Sequence, residues 1–251
     1  MADDVPEDHP RASSLRTRHR IERGVEQGIT SKQGLIAEGR GEAFDYLLGE
    51  RTTESADRAA RAAAAHLLLA DHPVLSVNGN VAALVPDEIV ALADASGAAI
   101  EVNLFNRTPE RMERIADHLR DHGASDVKGL AADARIPGLS HERAKVDAEG
   151  IAAADCVLVP LEDGDRAAAL AALGKTEIVI DLNPLSRSAR AAAVPVVDNV
   201  TRAVPRITEH VRDLADRPRA QLERIVRTFD PEAALADAER AIRDGDLAGD
   251  Q

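Results

Sequence analysis

Four segments of this 251-residue chain concentrate side chains able to bind anions or ribose hydroxyls. The densest is Asp181-Leu182-Asn183-Pro184-Leu185-Ser186-Arg187-Ser188-Ala189-Arg190, which places a carboxylate, an amide, hydroxyls and guanidiniums in one turn-rich stretch. Asp181 suits ribose hydroxyls, Asn183 a base edge, and the forked donors of Arg187 match phosphate oxygens. A capped short helix with a solvated basic face is the structural alternative. Asp198-Asn199-Val200-Thr201-Arg202 repeats the pattern more weakly. In Gly39-Arg40-Gly41-Glu42 the flanking glycines would let backbone approach a ligand while the guanidinium engages it. In Asn78-Gly79-Asn80 a glycine at positive φ would present backbone N–H groups to a phosphate at a helix entry, with a plain Asn-Gly turn as the alternative.

Other candidates are weaker. Pro160-Leu161-Glu162-Asp163-Gly164-Asp165-Arg166 gathers three carboxylates that could hold Mg2+ or an ammonium, although an acidic helix start is the simpler account. Lys145 could reach a substrate anion or form a surface ion pair. The single Cys156 lies in an apolar run and reads as a buried structural thiol; alone it forms neither an internal disulfide nor a multi-cysteine zinc site. The eight histidines are read as lacking H-x-x-x-H or His/Cys spacing, and the metal ligands stay unassigned.

These segments need a scaffold. Residues 11–29 form a weakly amphipathic helix ending near Gly28, and the Ala-rich stretch from Thr53 to Ala70 forms a helix that stops before His72-Pro73. The Ala-rich helix is also the apolar surface on offer as a subunit interface. Short β-branched runs then alternate with helical ones, the pattern of a parallel sheet with crossover helices. Strands are expected at Val74-Val77, Ile100-Leu104, Cys156-Pro160, Ile178-Asp181 and Val194-Val197, with helices near Pro86-Ala95, Pro109-His122 and Arg166-Leu173 closed by Gly97, Gly123 and Gly174. After Pro205 the chain reads as helical, broken at Arg217-Pro218 and restarted at Asp230-Pro231, with a frayed Gly-Asp-Gln end. The expected fold class is α/β: a Rossmann-like parallel sheet with flanking helices and added N- and C-terminal helices. The expected organisation is one domain over 1–251, divided into a helical segment 1–70, a core 71–205 and C-terminal helices 206–251. Four of the groups named above would then sit after strands, where open α/β sheets bind ligands.

Composition narrows the class. With 44 acidic against 31 basic residues the net charge is -13, which disfavours nucleic acid as a partner. Aromatic residues make up 2%, too few for base-stacking platforms. Lys occurs only at 32, 128, 145 and 175, so positive charge is almost all Arg; high-salt adaptation and a GC-rich genome both account for this. The acidic N-terminus does not resemble a signal peptide and no apolar run approaches the ~20 residues of a membrane span, so no membrane association and a cytoplasmic location are expected.

Longer strings carry a resemblance. His9-Pro10-Arg11, the run from Gly34 to Glu50, Ser76 to Pro86, Glu101 to Phe105, Ile136 to Leu139, Val159 to Arg166 and Asp181 to Arg187 resemble the archaeal 4-phosphopantoate:beta-alanine ligases, or phosphopantothenate synthetases, from about residue 9 to about 205. A salt-loving archaeal source fits the composition. The resemblance implies a homodimeric enzyme of coenzyme A biosynthesis that joins 4-phosphopantoate and beta-alanine into 4-phosphopantothenate, with Mg2+ and with ATP cleaved to AMP and diphosphate through an acyl-adenylate. It implies ATP contacts at Arg18, Arg40, Asp181, Leu182, Asn183, Arg187, Ser188, Asn199 and Val200; from the chemistry of that reaction, Arg40 and Arg187 are expected to neutralise the ATP phosphates and so to be catalytic. Asn78, Gly79 and Asn80 are taken as part of the phosphopantoate site. Two alternatives remain open at this point: a nicotinamide-dependent Rossmann oxidoreductase, disfavoured because no G-x-G-x-x-G follows Val77, and a non-catalytic nucleotide-binding regulator.

Overall fold

The computed structural model describes residues 6, 9, 11–160 and 164–244, and every structural statement concerns these residues. Leu161-Glu162-Asp163, Pro10 and the Gly-Asp-Gln end lie outside them. The chain enters through three helices, α1 (Ala12–Glu26), α2 (Lys32–Leu47) and α3 (Glu54–Leu69). Next come β1 (Pro73–Val77), α4 (Gly79–Leu84), α5 (Pro86–Ser96), β2 (Ala99–Val102), α6 (Pro109–Asp121), β3 (Val127–Lys128), β4 (Ala134–Arg135) and β5 (Lys145–Val146). Then follow β6 (Cys156–Pro160), α7 (Gly164–Ala172), β7 (Thr176–Ile180), α8 (Arg187–Ala191), β8 (Val194–Val196), α9 (Val200–Leu214), α10 (Arg219–Thr228) and α11 (Pro231–Asp244). None of the described helices is long and apolar enough to cross a membrane.

Six strands form a parallel sheet in the order β3-β2-β1-β6-β7-β8, while β4 and β5 make a separate antiparallel pair. The strand order reverses between β1 and β6, so a crevice opens beyond their carboxyl ends. Helical connections between parallel neighbours explain why the expected α/β class holds. The three helix-closing glycines take left-handed geometry as expected, with φ of 72° at Gly97, 101° at Gly123 and 73° at Gly174.

The sheet buries both faces, which is why its strands read as unbroken apolar runs. Leu75, Val77, Ile100, Leu158, Ile178 and Val194 face one way, toward α3, α5 and α9. Val74, Val157 and Val159 face the other way, against Leu170 of α7 and against Ile136, Val146 and Ile151 from the excursion between β3 and β6.

Several expectations change. The Ala-rich helix is interior: Ala59 and Ala62 to Ala65 have no exposed surface, and their small side chains let α3 lie close along α9. It is not a free interface. The helical C-terminal part starts at Val200 with α9, not after Pro205, because Asn199 Oδ1 accepts from Thr201 N at 3.0 Å and caps it. Pro205 sits inside α9, where it removes one N–H, while the helix buries an apolar side that includes Val204, Ile207, Val211 and Leu214. The 34–50 run, not assigned an element from sequence, is mostly α2. Strands β3, β4 and β5, of two residues each, were too short to show a pattern.

Candidate functional site

Helix α2 organises the site because its three sides carry different chemistry. At 100° per residue, Ala37, Arg40, Gly41 and Phe44 fall on one side, Glu38, Glu42 and Asp45 on a second, and Leu35, Ile36, Tyr46 and Leu47 on a third. Its N-terminus is set by Ser31, whose hydroxyl accepts from Gly34 N. Its seat is built from the segment after β1. Asn80 Nδ2 donates to Gly34 O at 3.0 Å, and a Cβ on Gly34 would stand 2.3 Å from Asn80 Oδ1.

The first side of α2 roofs a cleft of about 490 Å3. Opposite it stand Asp181, Leu182 and Asn183 after β7, and Ser186, Arg187 and Ser188 at the start of α8; Gly164, Phe105 and Arg143 complete the lining. Six of the expected residues therefore converge here: Arg40, Asp181, Leu182, Asn183, Arg187 and Ser188. The segment also has the capped-helix form that was its alternative, since Ser186 Oγ accepts from Ala189 N at 3.0 Å. Asp181 accepts from Asn183 N at 2.9 Å, and burial raises its pKa from the ordinary aspartate range. Asn183 Oδ1 accepts from Leu185 N at 3.0 Å, which folds the turn. Arg187 projects outward with its side chain 74% exposed, in an ion pair of 2.8 Å with Asp165.

The remaining expected residues lie elsewhere. Asn78 is the N-cap of α4, its Oδ1 accepting from Asn80 N at 3.0 Å and Val81 N at 3.1 Å, while its Nδ2 donates to Pro160 O at 3.0 Å across the crevice. Gly79 is helical, not at positive φ; it is glycine because a Cβ would come within 2.4 Å of Ile29 O. The capping carboxamide thus already takes donors expected to face a phosphate. These three residues are not among those lining the cleft; they seat α2 and brace the crevice.

Arg18 and Asn199 sit on the second side of α2, in a narrow crevice shared with Glu38, Glu42, Asp45 and Glu50. Arg18 donates twice to Glu42, at 2.9 and 2.6 Å, which lowers the Glu42 pKa. Asn199 Nδ2 donates to Asp45 Oδ2 at 2.9 Å, and Arg202 bridges Asp45 and Asp198. Val200 is buried as the first residue of α9. Burial, with Glu42 and Asp45 nearby, pushes Glu38 up to about 7.

Arg143 is the cleft residue that sequence reasoning passed over in favour of its neighbour Lys145. The structure pairs Lys145 with Glu142 at 2.8 Å, the surface ion pair held as its alternative. Arg143 lies in a 3-10 turn, Glu142–Ala144, and its signal was only an isolated basic residue inside a long connection. The histidine reading is also corrected. His118 of α6 and His122, its C-cap, have H-x-x-x-H spacing with ring centroids 4.6 Å apart, and they bond Ala82 O at 3.1 Å and Asp87 Oδ1 at 2.6 Å. Among the described residues no group of three or more His, Cys, Asp or Glu is placed to hold a metal. Cys156 is buried as expected, its thiol pushed up to about 12 by burial and then by Asp155.

The family model for phosphopantothenate/pantothenate synthetases matches residues 55–245. A "4-phosphopantoate--beta-alanine ligase" of Thermococcus kodakarensis is 55% identical over 241 residues, covering 96% of this chain and 92% of the relative. The enzyme of that name from Methanosarcina mazei is 52% identical over 241 residues, covering 96% and 95%. One from Methanospirillum hungatei is 55% identical over 210 residues, covering 84% and 86%. With a match across most of its length and relatives this similar, the chain belongs to the phosphopantothenate/pantothenate synthetase family.

Proposed function

We propose that the chain is a 4-phosphopantoate--beta-alanine ligase that uses ATP to make 4-phosphopantothenate, AMP and diphosphate in coenzyme A biosynthesis. The observation that carries this reading is the convergence of Arg40 and Arg187 with Asp181, Asn183 and Ser188 in one cleft beside the sheet crevice. A carboxylate and an ammonium do not condense at neutral pH. The 4-phosphopantoate carboxylate first attacks the α-phosphorus of ATP and expels diphosphate. The deprotonated amine of beta-alanine then attacks the acyl carbon, an amide bond forms, AMP leaves and a proton is released to solvent. 4-Phosphopantoate and ATP are both strongly anionic, so catalysis is largely positioning plus neutralisation of charge on the α-phosphoryl group. Arg40 from α2 and Arg187 from α8 supply that positive charge from opposite walls. Asp181 is assigned to the ribose hydroxyls and Asn183 to the base. Mg2+ would arrive on the triphosphate, since the described residues offer no cluster to hold it beforehand.

Arg18, Asn199 and Val200 are proposed as nucleotide contacts made when α2 shifts. The Arg18–Glu42 pair is exposed and worth less than about 1 kcal/mol, so exchanging Glu42 for a phosphate is inexpensive. A homodimer is proposed as well, supported by the third side of α2. Ile36 and Tyr46 are 71% and 66% exposed there, and large side chains at both ends flank Gly39 and Ala43, an order that complements itself about a two-fold axis.

The test is beta-alanine-dependent AMP formation from ATP and 4-phosphopantoate at molar KCl, with unphosphorylated pantoate as control. Turnover confined to the phosphorylated acid is expected. A folded protein that releases no AMP with all three substrates would overturn the ligase reading in favour of a nucleotide-binding regulator.

A further inference from the structure

Arg143 reaches the cleft from the opposite half of the sheet to the proposed nucleotide residues. Asp181, Asn183, Arg187 and Ser188 follow β7, whereas Arg143 belongs to the excursion between β3 and β6, which packs over β1 and β6 and is tied to the end of β2 through Asn103. Its backbone is clamped there. Asn103, just after β2, donates from Nδ2 to Arg143 O at 3.2 Å and Lys145 O at 3.1 Å. The other end of the Asn103 carboxamide accepts from Arg166, a guanidinium 1% exposed whose second arm donates to Ser76 Oγ at 2.8 Å. The turn is held on its far side by Ile136 N donating to Ala144 O at 2.8 Å. A chain of buried polar side chains, Ser76 to Arg166 to Asn103, therefore fixes where residue 143 stands. Arg143 is 9% exposed while lining the cleft, unlike the solvated Arg187.

The charges in the cleft give this placement a purpose. Two phosphorylated substrates must lie side by side, and guanidiniums from α2 and α8 serve the one whose contacts follow β7. The second anion then needs a fixed, partly desolvated cation across the crevice, where a forked donor distinguishes a phosphomonoester dianion from a hydroxyl. We propose that Arg143 binds the phosphoryl group of the acid substrate and is the residue that makes the enzyme select the phosphorylated acid over the free one. This rests on the ligase reading above. Asn103 acts through Arg143 as a positioning residue.

The experiment compares wild type with Arg143→Met and Arg143→Lys in steady-state kinetics and in calorimetric titration with 4-phosphopantoate and, separately, with ATP. Circular dichroism checks folding of each. The expected result is a rise of at least tenfold in KM and Kd for 4-phosphopantoate in Arg143→Met, with KM for ATP within twofold of wild type. The preference for 4-phosphopantoate over pantoate should shrink by the same factor, and Arg143→Lys, which keeps the charge but not the fork, should fall between. Should Arg143→Met fail to fold, the lysine variant and its preference ratio decide. A weakened ATP term, or an unchanged 4-phosphopantoate term, overturns the proposal. Wild type that binds 4-phosphopantoate through Arg143 yet forms no AMP would sink the ligase reading and leave this site standing; normal turnover with an unchanged KM in Arg143→Met would do the reverse.

Discussion

The two polar sides of α2 face regions of opposite design. On the cleft side Arg40 and Arg187 line one open cleft, and Arg187, 74% exposed, is held by a solvated ion pair with Asp165. On the far side Glu38, Glu42 and Asp45 meet Arg18, Arg202 and Asn199 in a crevice where each cation already has a carboxylate partner. One helix thus separates solvated guanidiniums at an open cleft from Arg202, which two buried carboxylates tie into the fold. Mutations on the first side should cost turnover, and those on the second should cost stability.

Arg187→Ala and Arg40→Ala should show the largest effect. Each removes a guanidinium proposed to neutralise developing phosphate charge, so kcat/KM should drop by about 10²-fold or more, while the thermal midpoint stays close to wild type because Arg187 is solvated. Equal losses of turnover and stability would erase the contrast between the two sides. Next comes Asp45→Ala, which leaves Arg202 with one of its two carboxylates and removes the acceptor of Asn199. A loss of about 3 kcal/mol in urea denaturation is expected, and no change there would show that the network behind α2 is not structural.

Arg18→Ala sharpens the boundary. If α2 shifts to let Arg18 meet the nucleotide, KM for ATP should rise a few-fold with kcat retained; an unchanged KM would confine the nucleotide to the cleft side.

The smallest effect is a pH dependence. Glu38 has a folded pKa of about 7, raised from 4.5 by burial and by neighbouring carboxylates. The folded state therefore holds the proton more tightly than the unfolded chain. That contribution is complete below about pH 4.5 and is lost as pH rises through 7. Glu38→Gln should flatten the decline of stability between those values relative to wild type. Glu101, on the other side of the sheet, offers a comparison: it has no exposed surface, accepts from Asp147 N and Ile151 N, and is also pushed up to about 7. An identical slope in Glu38→Gln, Glu101→Gln and wild type would remove the basis for either shift.

What the sequence disclosed follows from range of interaction. The five long strands and the helices between them were legible because burial on both faces leaves runs of apolar residues, and because Gly97, Gly123 and Gly174 close helices by local backbone geometry. The segment from Asp181 to Ser188 was legible for the same local reason. The roles of Asn78, Gly79 and Asn80 were not. Gly79 is explained by Ile29 O and Asn80 by Gly34, and no local spacing reports contacts with a distant helix. Arg40 lines the cleft, but the reason given for it from sequence does not hold: the glycines around it belong to a helix, where a Cβ on Gly41 would touch Leu182 at 3.4 Å. Arg143 was passed over because its position is set by Asn103, just after β2, and Arg166 in α7, both distant in sequence.

The most direct test of the cleft as the place where the acid is activated is 4-phosphopantoate-dependent exchange of labelled diphosphate into ATP, without beta-alanine, in wild type and in Arg187→Ala. Exchange in wild type and its loss in the folded variant is the predicted result. Exchange that persists undiminished in Arg187→Ala, or that is absent from an active wild type, would contradict the account.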